Sequence, residues 1–150
     1  MVKGPSTEQF WQFCLASYPG IQQPLLRLQD ELGANVNLLL LLLYAEQQHW
    51  ILTPQQIDQL HQAVAGPNRS YTQPIRHLRR RLSTQPAIKA ALLQAELVAE
   101  QLEQQALLAA LPELTTGQDA DLIAAYLTQL TPSSAHWHPL LFDLRQSLSS

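Results

Sequence analysis

The chain is predicted to be all-α, a compact single-domain bundle of seven to eight helices around a central leucine-rich helix. Three observations carry this. Leu, Ala and Gln dominate the sequence, and all three favour helices. No stretch sustains the apolar–polar alternation that marks a strand. Pro and Gly punctuate the chain at intervals suited to helices joined by short connections.

Taken in order, Ser6 caps a first helix over residues 7–18, with Gln9 completing a capping box. Phe10, Phe13, Cys14 and Tyr18 share its inner face, and Trp11 and Leu15 widen it. Pro19–Gly20 is expected to stop this helix. A second helix runs to Leu32 on a Leu25, Leu28, Leu32 stripe, with Pro24 in its first turn and Gly33 as the left-handed terminating residue. Asn35 caps a third helix to His49. Its leucine run, residues 38–43, is apolar all round and belongs in the middle of the domain.

Thr53–Pro54 opens a fourth helix facing inward through Ile57, Leu60, His61 and Val64, and Gly66–Pro67 is expected to end it. A fifth covers residues 70–82 with Ile75, Leu78 and Leu82 inside. Ser83 or Thr84 caps the longest helix, residues 86–111, whose stripe reads Ile88, Leu92, Ala95, Ala99, Leu102, Ala106, Ala109. Another begins at Thr116 or Gly117 and ends at Leu130, on Leu122, Tyr126 and Leu130. A short helix over residues 139–148 closes the chain, on Leu141, Leu144 and Leu148. Residues 1–5 are expected to be a disordered tail. All 150 residues are read as one helical domain, because neither half alone would hide its apolar faces.

Composition narrows the function classes. Charged residues make up 14%, against a typical ~25%, which argues against long-range electrostatic steering. Net charge is −3 but unevenly spread. Residues 1–91 hold eight of the nine basic residues and five acids; residues 92–150 hold Arg145 and seven acids. The acidic half is expected to lie against the basic half. A single cysteine, Cys14, excludes an internal disulfide and suits a reducing cytoplasm. No secretory signal is visible at the N-terminus. The longest apolar run is about ten residues, half the ~20 a membrane span needs.

Several stretches together have a familiar order. They are Phe10–Trp11–Gln12–Phe13 with Tyr18–Pro19, then Leu28–Gln29–Asp30 through Gly33 to Asn35–Val36–Asn37–Leu38–Leu39–Leu40. Pro74–Ile75–Arg76 and Leu78–Arg79–Arg80–Arg81–Leu82 follow. Over roughly residues 8–85 the chain resembles an uncharacterised family of small all-helical, mainly proteobacterial proteins of unknown function. The resemblance implies a helical fold and carries no activity or site residue.

The strongest candidate site is the basic helix. Arg76 and Arg80 are helical neighbours, Arg79 lies beside Arg76, and His77 is among them. Arginine forks suit phosphate, carboxylate or an acidic partner, so Arg76, His77, Arg79 and Arg80 form an anion- or partner-binding set. The competing expectation is salt bridging to Asp30, Glu31, Glu46 or the acidic long helix. Asp30 and Asn35 are read as a structural polar pair, Asn35 as a cap and Asp30 ion-paired to Arg76, Arg79 or Arg80. Glu96, Glu100 and Glu103 are read as a solvated face, and Asp119 and Asp121 as first-turn residues. His61, His77, His136 and His138 do not converge on a metal site, Cys14 is a core thiol, and no catalytic or nucleotide motif is present. No metal or cofactor is expected.

These observations favour a non-enzymatic protein-interaction or adaptor domain using the Arg-rich helix, with another protein, acidic at its surface, as partner. The alternative is a helical pocket protein or enzyme taking an anionic or prenyl-like small molecule near Arg76 and Arg80. Weak binding to a nucleic-acid backbone ranks last, because the total charge is acidic. A homo-oligomer is left open.

Overall fold

The computed structural model describes residues 2–82 and 84–149; Ser83, one of the two expected caps, lies outside the described residues. The chain is all-α but for one small ribbon. Helix α1 spans Thr7–Leu32, α2 Val36–Gln47, α3 Pro54–Pro67, α4 Gln73–Arg81, α5 Pro86–Ala109, α6 Leu122–Leu130 and α7 Ser134–Leu148. A π-helical turn, Asn68–Thr72, joins α3 to α4 without a break. The described residues therefore form six continuous helical bodies rather than seven or eight. Strands β1 (Trp50–Ile51) and β2 (Thr115–Thr116) pair antiparallel, Trp50 opposite Thr116.

Each of the two missing helix breaks has its own explanation. Pro19 and Pro24 both lie inside α1, and neither stops it. Each proline forfeits one backbone hydrogen bond. Burial outweighs that loss, because Cys14, Ile21, Leu25 and Leu28 keep one helical phase across Pro19 and are all buried. The Ser6–Gln9 capping box forms as expected, and Gly33, at φ 74°, ends the helix. At the second site Pro67 has no N–H to give, and the helix widens instead of ending. The N–H of Gln73 donates to the Asn68 carbonyl, five residues back.

Helix α2 is central. It touches α1, α3, α5 and α6. Every leucine from 38 to 43 is buried, and Asn35 caps the helix through a 2.9 Å bond from Leu38 N–H to its side-chain oxygen. Thr53 caps α3 with Gln56 as its capping-box partner, and Ile57, Leu60 and Val64 face inward as predicted. Helix α7 starts at Ser134, earlier than expected, carries Pro139 internally and packs along α1. Leu140, Leu141 and Leu144 bury, while Leu148 is exposed. Of the expected N-terminal tail, Met1 lies outside the described residues and Val2 bonds to the Leu114 carbonyl at 3.0 Å.

Two helices present a different face from the one predicted. On α4 Leu78, and just beyond it Leu82, are exposed while Arg76 and Arg79 turn inward. On α5, Ile88 and Leu102 are exposed, and the buried residues are Glu96, Ala99, Glu103, Gln104 and Leu107. Of the glutamates read as a solvated face, Glu96 and Glu103 lie inside and Glu100 is half-buried. The cause is mutual: α4 and α5 pack together through opposite charges, which places the polar rows inward and leaves leucines outside.

Candidate functional site

Helix α5 carries three glutamates at helical spacing, and each meets different surroundings. Glu96 pairs with α4: Arg76 Nε lies 2.9 Å from its Oε2 and Arg79 Nε 2.6 Å from its Oε1. The Glu96 side chain is only 9% exposed. Burial works to raise its pKa, but the hydrogen bonds from Arg79 and Arg76 win and hold it below the usual carboxylate range. Arg79 is raised in turn, first by its bond to Glu96.

Glu103, two turns further on, is 2% exposed and touches no guanidinium among the described residues. Its Oε1 accepts from Asn35 Nδ2 at 3.0 Å and Asn37 Nδ2 at 3.2 Å. Its Oε2 accepts from Asn68 Nδ2 at 3.1 Å and from the Thr72 hydroxyl. Four donors match the four lone-pair directions of a carboxylate. Asn68 and Thr72 open and close the π turn, so the widened backbone is what delivers both donors to one oxygen. The network continues outward. Gln104 Nε2 donates to Asn37 Oδ1 at 3.0 Å, and the Asn35 N–H donates to the Tyr126 hydroxyl, itself 2.8 Å from His61 Nδ1.

Glu100, between them, is neither bonded nor fully buried. Among the described residues its only ion-pair neighbour is Arg76, whose Nη2 is 3.8 Å away. Burial, then the charge of Glu96, pushes its pKa up to about 7. Glu100 lines a cavity of about 260 Å³ between α1, α2, α4 and α5. Trp11, Leu15, Tyr18, Val36, Leu40 and Leu97 give it apolar walls, and Asn37, Arg76 and Gln104 join Glu100 on the polar side. Cys14 also lines it, as a thiol whose pKa burial pushes up to about 12 and which is therefore unreactive. A second, more polar hollow of about 240 Å³ lies beyond Asn35, with His61, Asn68 and Gln73 on its walls. Gln29 borders both.

The residues singled out in the sequence divide accordingly. Arg76 and Arg79 converge on Glu96, and Arg76 reaches the cavity. His77 and Arg80 are on the exposed side of α4. Asn35 joins the Glu103 cluster, but Asp30 does not accompany it: Asp30 is exposed and accepts a long 3.5 Å bond from Gln29. Among the described residues the expected ion pair from Asp30 to Arg76, Arg79 or Arg80 does not form, and Glu96 offers Arg76 and Arg79 a buried acceptor instead. Glu46 belongs elsewhere too, gripping Arg145 at 2.6 and 3.0 Å. Asp121 is the N-cap of α6, and Asp119 meets His49. Glu100, Glu103, Gln104, Asn68 and Thr72 were not identified as site residues from sequence. The signal was present, since residues 96, 100 and 103 fall on one helical face, as an apolar stripe would.

A family model described as a protein of unknown function, DUF2390, matches residues 9–107. The chain belongs to this family. No curated protein and no solved structure matches it. The DUF2390 match reaches further than the resemblance over residues 8–85. It takes in the cavity wall from Trp11 to Gln104 and all three glutamates, and stops short of Tyr126. Among the described residues, no helix is long and apolar enough to cross a membrane.

Proposed function

We propose that this protein binds a small amphiphilic molecule in the cavity between α1, α2, α4 and α5. The carrying observation is the cavity's composition: aromatic and aliphatic walls around a few convergent polar groups, which is the usual make-up of a small-molecule site. At about 260 Å³ it is small. Water occupies ~30 Å³ per molecule in the liquid, so the space suits a chain or ring of roughly eight carbon-sized groups. Arg76 and Arg79 are already held by Glu96, so they support an anion site less well than their number in the sequence suggests. The test uses 1-octanol, which carries no charge. Octanol should give a saturable change in tryptophan emission that disappears in Trp11→Phe and is blocked by Leu15→Trp at the mouth. A non-saturable response, identical in all three proteins, would count against the reading.

A protein-interaction domain is the second reading. It is favoured by exposed Leu78 on α4, exposed Leu82 at its C-terminal cap, and exposed Ile88, Val98 and Leu102 on α5. A partner or second copy would meet these apolar side chains rather than the arginines. Sedimentation of the wild type and Val98→Lys/Leu102→Lys across a concentration series tests for self-association.

A further inference from the structure

The charge around the cavity is unbalanced. Glu100 and Arg76 line the cavity itself, and behind them stand two more carboxyls of α5, Glu96 and Glu103, against one more guanidinium of α4, Arg79. Glu96 takes both guanidiniums at hydrogen-bond distance. Glu103 is saturated by four neutral donors. The neighbouring amides direct one N–H each elsewhere, Asn37 Nδ2 to Glu103 and Gln104 Nε2 to Asn37, and neither carries a charge. Glu100 is left with one distant neighbour, Arg76 at 3.8 Å, and with the cavity in front of it. From α1 the titratable groups lining the cavity are Tyr18 and Cys14, and from α2 the polar lining residue is the Asn37 amide. None of these supplies a positive charge.

We propose that the ligand is a cationic amphiphile, an amine whose apolar body lies against Trp11, Leu15 and Leu97 and whose ammonium pairs with Glu100. This rests on the ligand-binding reading of the same cavity. The aromatic rings of Trp11 and Tyr18 add to the fit, because aromatic faces attract ammonium groups. An anionic head has the opposite problem: it would meet Glu100 and find Arg76 already neutralised. Glu100 titrates near neutrality, so binding tightens as pH rises and the carboxyl ionises.

The experiment is calorimetric titration of n-octylammonium, 1-octanol and octanoate into the wild type and Glu100→Gln, at pH 6 and pH 8. The wild type at pH 8 should bind octylammonium about tenfold or more tighter than octanol, a free-energy difference of about 1.4 kcal/mol. That advantage, read as the ratio of octylammonium to octanol affinity within each protein, should shrink at pH 6 and vanish in Glu100→Gln. Thermal melting of Glu100→Gln confirms that it folds. Octanol binding without an octylammonium advantage, or an advantage that survives in Glu100→Gln, overturns the amine and leaves the cavity reading standing. Preferred binding of octanoate does the same. Binding of none of the three overturns both.

Discussion

Asn68 and Glu103 are 35 residues apart in sequence, yet Asn68 Nδ2 donates to Glu103 Oε2 at 3.1 Å, across the junction of the π turn and α5. Thr72 reaches the same oxygen and Asn35 and Asn37 reach the other. A buried carboxylate with four donors ties three helices at one point. Removing one donor leaves a buried acceptor short, at a cost of ~1–3 kcal/mol. Thr72→Val, nearly the same in shape, should therefore lower stability by about that amount in urea denaturation. Glu103→Leu should cost more, because it strands four donors together.

The Arg76–Glu96–Arg79 triad gives a pH-dependent signature. The folded pKa of Glu96 lies below its ordinary 4.5, so its stabilisation is in force above that value and fades as pH falls through the depressed one. Glu96→Gln removes the carboxylate from Arg79 and leaves Arg76, among the described residues, only the more distant Glu100 at 3.8 Å. It should lose about 3–5 kcal/mol at pH 7. Urea midpoints followed from pH 7 to pH 3 should show the gap between wild type and variant closing below pH 4.5.

Glu100 behaves in the reverse sense. Its folded pKa is raised from 4.5 to about 7, so the unfolded chain ionises first as pH rises. Stability attributable to the neutral carboxyl is complete below 4.5, declines between 4.5 and 7, and is gone above 7. Glu100→Gln should match the wild type near pH 4.5 and exceed it at pH 8. Each pKa unit is worth about 1.4 kcal/mol, and partial solvent exposure reduces the gain to ~1–2 kcal/mol.

The continuity of α1 predicts opposite signs for two glycines. Gly20 lies in the helix interior, and a Cβ there meets nothing within 4 Å. Gly20→Ala should stabilise by about 0.5–1 kcal/mol. Gly33 sits at φ 74°, where its N–H bonds to the Gln29 carbonyl at 3.0 Å. Gly33→Ala should destabilise by ~1–2 kcal/mol, because a side chain is strained there. Thermal midpoints of the two single variants check both signs.

What the sequence revealed was the part of the fold set by local chemistry. Ser6, Asn35, Thr53 and Gly33 act at helix ends as their side chains dictate, and the leucine run of α2 could only be buried. Pro19 and Pro67 misled because a breaker is judged alone, whereas the phase of Cys14, Ile21, Leu25 and Leu28 carries through the first of them. The inner face of α5 was hidden for another reason. A glutamate row resembles a solvated face until its partners are known, and those partners, Arg76, Arg79, Asn68 and Thr72, lie on another helical body. Charge complementarity between the halves was visible; which carboxyl each arginine would take was not. Glu100 is the residue left over after the other two are satisfied, and only the three-dimensional arrangement identifies it.

The widened turn at Asn68–Thr72 also sets an angle. Each helical residue advances the chain by about 100°, so one residue more or fewer in that turn rotates everything after it by the same step. Arg76 and Arg79 would swing off Glu96 and the α4 leucines would sweep toward the glutamates. The rod running from Pro54 to Arg81 thus tolerates point changes along its length more readily than a change in its residue count, because its two ends must stay in phase.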